Sequence, residues 1–218
     1  MSTLPARGSR RSAPPALLVA LALLAPGAAA AAPQVVALRD TPSSLSARYG
    51  AAVPLEIAGV PYYVIPSATG CEVRQSGPAA ADSLVSRFRT AGSFTEVAAA
   101  GNTVYLMGGA RGVVAVDVGD PAAPAAVGSF ATSFGAEHGA YAPASRVLAV
   151  GSASAVAFLR ESAPGQLTLL QERVYSDGRQ IMRIAARGDS ILVAAQRGSG
   201  LPRIFLTLYR ARAGAVPE

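Results

Sequence analysis

A stretch of forty-one residues, Gly92 to Thr132, repeats along this chain, and the repeat constrains the fold more than any other feature. Slid back by 42 residues, it lies on residues 50–90 without a gap. Twelve positions then match: Gly50, Ala58, Gly59, Tyr63, Ala68, Gly70, Gly77, Ala80, Ala81, Val85, Phe88 and Thr90. Within each copy, short apolar runs are separated by turns rich in Gly, Asn, Asp and Pro, the pattern of a small antiparallel sheet. In the copy at 92–132 the strands are expected near Thr95–Ala99, Thr103–Met107, Val113–Val118 and Ala126–Ala131. A period of this length with four strands per unit predicts an all-β chain built as a β-propeller of blades of about 42–44 residues.

The copies continue. Arg146–Val150 lies on Thr103–Met107 with an offset of 43, Ala155–Arg160 follows as a third strand and Leu167–Val174 as an outer one. A further 44 residues bring Ile191–Val193 into the same slot, and Arg203–Arg210 serves as the third strand of a fourth copy. Ala211–Glu218 offers no fourth strand. Blades are therefore expected at about 50–90, 92–132, 135–175 and 180–218. Before them, Val35–Leu38 echoes Val113–Val116, and Ser44–Tyr49 echoes Ser83–Phe88. Residues 31–49 thus read as outer strands that complete a blade from the other end of the chain, as propellers do to remove exposed edges. The expectation is a small, partial or truncated ring: three full blades and a composite or incomplete fourth. An open reading frame cut short, without independent function, is the alternative.

Composition bounds the partners. Of the 218 residues, 51% are hydrophobic and 15% charged, a globular balance. Every one of the 19 basic residues is Arg, against 13 acids. Arg7, Arg10 and Arg11 fall in a basic start followed by the eleven-residue apolar run Ala16–Pro26 and the small residues 27–32, the layout of a signal peptide over residues 1–30. The run is short for a bilayer crossing, which takes about 20 apolar residues. Cleavage would leave an exported protein, periplasmic, secreted or at the cell surface, with no membrane span. Its arginines are scattered and form no stripe of the kind that tracks phosphates, so nucleic acid is not an expected partner. Cys71 is the single cysteine and excludes an internal disulfide. It stands in the slot of Val113, a strand position, and reads as a buried small hydrophobe.

Residues 101–130, GNTVYLMGGARGVVAVDVGDPAAPAAVGSF, resemble the LVIVD repeat of exported bacterial and archaeal surface proteins. The shared features are the Gly-Asn turn, the V-Y-L strand, a Gly before V-V-A-V-D-V, D-P-x-x-P and V-G-S. At 50–90 the likeness is weaker, with Pro78 and Asp82 in the places of Asp120 and Pro124, and it fades beyond 135. The resemblance implies a β-propeller and an exported location, and brings no catalytic residues. With no Trp in the chain, WD repeats and tryptophan-bearing quinone-binding repeats are excluded.

Few residues offer chemistry. His138, the single histidine, falls in the expected innermost strand of the third blade, Ala136–Tyr141. Its neighbour Glu137 faces the other way on a strand, and no second or third donor is expected in its register. Arg187-Gly188-Asp189-Ser190 spells an adhesion tripeptide but fills the slot of the tight turn Gly101-Asn102. Among the other acids, Glu56, Glu72, Asp82, Glu96, Asp117 and Asp120 occur singly, without the alternation of a calcium loop. Residues 108–112, GGARG, form a hairpin between strands and so lack the helix N-terminus that a phosphate site uses. No catalytic, metal or cofactor-binding residue is assigned and no cofactor is expected. The expected function is a non-enzymatic binding scaffold for a protein or glycan partner, the alternative a propeller hydrolase or lactonase with a site in the central channel.

Overall fold

The computed structural model describes residues 52–76, 82–198, 203–211 and 217, all within one compact unit, Thr41–Glu218. The expected signal segment, the strands of 31–49 and most of the chain after Ala211 lie outside the described residues.

Among the described residues, fifteen strands form four antiparallel sheets. The first holds β1 (Val53–Ile57), β2 (Val60–Ser67), β3 (Gly70–Gln75) and β4 (Ser83–Arg89) in sequence order. The second holds β5 (Glu96–Ala100), β6 (Thr103–Met107), β7 (Val113–Asp117) and β8 (Ala125–Phe130). The third holds β9 (His138–Ala142), β10 (Val147–Ser152), β11 (Ala155–Ala163) and β12 (Gln166–Val174). The last is three-stranded among the described residues, with β13 (Gln180–Arg187), β14 (Ser190–Arg197) and β15 (Arg203–Arg210). The first strands of successive sheets are neighbours, β1 with β5, β5 with β9 and β9 with β13. Each sheet is thus a blade with its first strand innermost. The chain is an all-β propeller whose described residues form three four-stranded blades and three strands of a fourth.

Packing follows from strand periodicity. Alternate residues of a strand face opposite sides, and a central blade is covered on both. In β6, Val104 and Leu106 enter the core shared with the first blade, while Tyr105 and Met107 enter the core shared with the third. In β10, Leu148 and Val150 face the second blade and Val147 and Ala149 the fourth. That is why these strands are apolar at nearly every position and wholly buried. Each such Val or Leu contributes about 1.5–3 kcal/mol by leaving water. The outer strands β4, β8 and β12 alternate and stay half exposed.

The matched glycines have steric causes. Gly70 begins β3 and Gly112 immediately precedes β7, at φ of +135° and +76°, and a Cβ there would lie 2.0 and 2.2 Å from the carbonyl oxygens of Phe88 and Phe130. The outer strand of each full blade also carries a bulge at one repeat position, Val85, Val127 and Leu170 standing outside the ladder. A bulge bends the edge strand and strengthens its twist.

Candidate functional site

Glu96 opens β5 and His138 opens β9, the inner strands of adjacent blades; Glu96 pairs with Met107 and His138 with Gly151, so His138 lies one residue before the slot that Glu96 fills. Their separation of 42 residues is one less than the 43-residue offset between these blades, and since alternate strand residues face opposite sides, that step turns the two side chains towards each other, with Glu96 Oε2 3.0 Å from His138 Nδ1. This corrects the expectation that no second group shares the register of His138. The sequence neighbour Glu137 is exposed, whereas the partner comes from the preceding blade. Glu96 is 6% exposed. A carboxylate so buried needs a donor, and the imidazole supplies it. Nδ1 faces the carboxylate and Nε2 is the ring nitrogen turned away from it, the orientation that carboxylate–histidine pairs favour.

The pair lies in an open cleft of about 460 Å³ lined by Ser93, Thr95, Glu96, Gly109, Glu137, His138 and Arg183. Its frame is backbone. Gly109 and Ala136 exchange two hydrogen bonds, of 2.7 and 2.8 Å, tying the Gly108–Gly112 turn of the second blade to the entry of the third. Thr95 Oγ1 donates to the Glu137 carbonyl at 3.3 Å, and the Glu137 amide donates to Gly151 O at 3.0 Å. Gly135 makes the close approach possible, since its φ is +83° and a Cβ would sit 2.9 Å from Gly109 O. Ser93, Thr95, Glu137 and Arg183 are exposed on this frame. Among the described residues no group of three or more His, Cys, Asp or Glu converges as a metal ion would require.

The other singled-out residues are held by local structure. Asp117 Oδ1 accepts from the Gly119 amide at 2.8 Å and Asp120 Oδ1 from Ala122 at 3.0 Å, so both acids shape their own turn. Gly188 and Asp189 form the two-residue turn between β13 and β14, with Gly188 at φ +60° and Ser190 Oγ donating to Asp189 Oδ1 at 3.0 Å. Cys71 is 1% exposed, and burial pushes its thiol up to about 12. Burial raises Glu72 too, but Arg74 at 2.8 Å and Arg87 at 3.0 Å outweigh it and hold its carboxyl below the usual range. Glu56 is exposed and Asp82 half-buried.

A second cluster has no counterpart in the sequence reading. Glu161, in β11, is 5% exposed and accepts from the hydroxyls of Tyr105 in the second blade and Tyr141 in β9, with Arg146 Nη2 at 3.4 Å. Burial and the hydrogen bond to Glu161 push Tyr105 well up, and push Tyr141 up to about 12. Tyr105 lies 56 residues from Glu161, a separation at which only the repeat could have suggested a contact. For Glu96 and His138 the repeat places both at the start of adjacent inner strands, and the one-residue step between their positions is what lets their side chains meet.

No protein-family model and no curated protein sequence matches the chain. Among solved structures it is similar to the N-terminal domain of Nup159, at 8% identity and a TM-score of 0.43, over 70% of this chain and 43% of that one. It is also similar to a chain in a S. cerevisiae complex of Dbp5 with Nup159, Gle1, IP6 and ADP, at 8% identity and a TM-score of 0.45, over 68% of this chain and 42% of that one. The chain therefore spans less than half the length of either. The propeller assignment stands on the sheet topology itself.

Proposed function

We propose that this chain is an exported propeller of the LVIVD type that works as a non-enzymatic binding scaffold, periplasmic or at the cell surface, and meets a protein or glycan partner at the Glu96–His138 cleft. The observation that carries this reading is the cleft: exposed polar groups of both charge signs, Glu137 and Arg183 with Ser93 and Thr95, held on backbone pinned by the Gly109–Ala136 bridge. Rigidly presented polar groups cost little entropy to engage, which is what recognition needs. Export is supported by the basic start and apolar run of residues 1–30, and the LVIVD reading by residues 101–130. No helix among the described residues is long and apolar enough to cross a membrane.

The test is a photo-crosslinking residue placed at Glu137, or at Ser93, in the chain expressed with its leader. A discrete adduct at these positions and none at Arg173, on the outer strand β12, is expected, together with a mature N-terminus near Ala31. An evenly distributed smear, or an uncleaved cytoplasmic chain, overturns the reading. One observation favours a second reading, hydrolysis. A buried acid orienting a histidine is the base half of a nucleophile-activating arrangement, and Ser93 lines the same cleft. Turnover of an ester or lactone panel, lost in His138→Ala with the fold intact, would install hydrolysis in place of the scaffold.

A further inference from the structure

Three blades meet at the Glu96–His138 cleft, and they leave two opposite charges there without partners. Glu137 precedes β9 in the third blade and Arg183 lies in β13 of the fourth; both are exposed and both line the cleft. Among the described residues the acids in ion pairs are Glu72, Glu96, Glu161 and Asp177, so Glu137 and Arg183 pair neither with each other nor elsewhere. Glu96, the other carboxylate of the cleft, already has His138.

A bulge brings the arginine out. Of the four inner strands, β13 alone has one among the described residues, with Met182 outside the ladder between Ile181 and Arg183. Alternate residues of a regular strand share a face, so without the extra residue Arg183 would follow Ile181 into the core shared with the third blade. Instead Ile181 and Ile184 enter that core and Arg183 stays outside it. Bulges re-aim side chains in this way and are over-represented next to active sites. The backbones that carry the two charges are tied to one hairpin. The Glu137 amide donates to Gly151 O at 3.0 Å and the Ile181 amide to Ala153 O at 2.6 Å, both on the hairpin of β10 and β11.

The geometry points to the carboxyl end of a partner polypeptide, with a basic side chain at its last residue, as the ligand of this cleft. The proposal rests on the scaffold reading and gives the partner its chemistry. The planar fork of Arg183 takes the terminal carboxylate through two parallel hydrogen bonds, and Glu137 takes the lysine or arginine. A long basic side chain reaches from one strand to the next, whereas at an amino end the ammonium and an acidic side chain both sit on shorter stems. The cleft of about 460 Å³ falls in the range, on the order of 300–1,000 Å³, that holds a small ligand. A folded face takes about 800 Å² of each partner and would not enter it. No Phe or Tyr among the described residues lines the cleft, so the apolar face of a sugar has no ring to pack on. A free basic amino acid carries the same two charges but leaves most of the space to water.

The experiment measures, by calorimetry on the full chain, binding of N-acetylated Gly-Ser-Ala-Lys with a free carboxyl end. Beside it are run the same peptide amidated, its counterpart ending in Glu, free lysine, and maltotriose. The free-acid Lys peptide is expected to bind about tenfold more tightly, or better, than the amidated and Glu-ended peptides. Arg183→Ala is expected to erase the preference for a free carboxylate and keep the preference for Lys over Glu; Glu137→Ala is expected to do the reverse. Both side chains are exposed, and an unchanged melting temperature verifies the fold. Equal binding of the free and amidated peptides, free lysine binding as tightly as the peptide, binding of maltotriose in its place, or no binding at all overturns the proposal. If the peptide fails while the Ser93 adduct persists, the ligand class is wrong and the scaffold stands. If the adduct is lost while peptide binding holds, the chemistry of the cleft stands and the scaffold reading is wrong.

Discussion

At the scale of single residues, backbone space decides more than side-chain chemistry. Gly112 and Gly101 both have positive φ, +76° and +58°, but only at Gly112 would a Cβ strike anything, the Phe130 carbonyl at 2.2 Å. Gly101→Ala is expected to cost about 1–2 kcal/mol from backbone strain alone. Gly112→Ala adds the clash and is expected to be worse by ~1 kcal/mol or more in urea titrations. Buried groups that ionise make the fold sensitive to alkali. Cys71 is raised from 9.0 to about 12 and Tyr141 from 10.0 to about 12 in the folded chain. Both hold their protons more tightly when folded, so their stabilising contribution is complete below the unfolded values of 9–10 and is lost as pH rises towards 12. Melting temperature should therefore fall across that window, less steeply in Cys71→Ala and Tyr141→Phe. Cys71 should resist maleimide until the chain unfolds.

Strands bring their own level of coupling. Glu161 on β11 joins Tyr105 on β6 and Tyr141 on β9, so three strands from two blades share one buried acceptor. Removing the acid in Glu161→Met leaves the wholly buried Tyr105 hydroxyl without its acceptor, a loss of about 1–3 kcal/mol. Adding Tyr105→Phe and Tyr141→Phe removes the stranded donors, and the triple variant should recover much of that loss. Denaturant midpoints of the single and triple variants measure it; strictly additive losses would show that the three groups do not act together. None of this was legible in the order of residues, because a buried acid announces no partner until the blades are stacked. The strand sequence itself was more readable. In the second blade β6 has the expected bounds, and the other strands lie within a residue of theirs. The turns there carry Gly, Asn, Asp or Pro for conformational reasons that hold wherever they occur.

Over the whole molecule, separate cores between successive blades make stability a sum of neighbour contacts. Strands with neighbours on both faces, β6 and β10, should show the slowest amide exchange, and β15, half exposed and at the edge of its sheet among the described residues, the fastest among the described strands. A reversed order would mean that the last blade is held by contacts other than those of its inner face. By itself the sequence determined the blade: its period, the order of its strands, its glycine turns and the burial of Cys71 follow from local geometry and alternation, which neighbouring residues dictate. Only the tertiary structure decided which faces meet. It placed Glu96 against His138 and buried Glu161 between two tyrosines. Those outcomes depend on how far sheets twist and stack, and contacts between blades join residues tens of positions apart, where no periodicity of a single strand reaches.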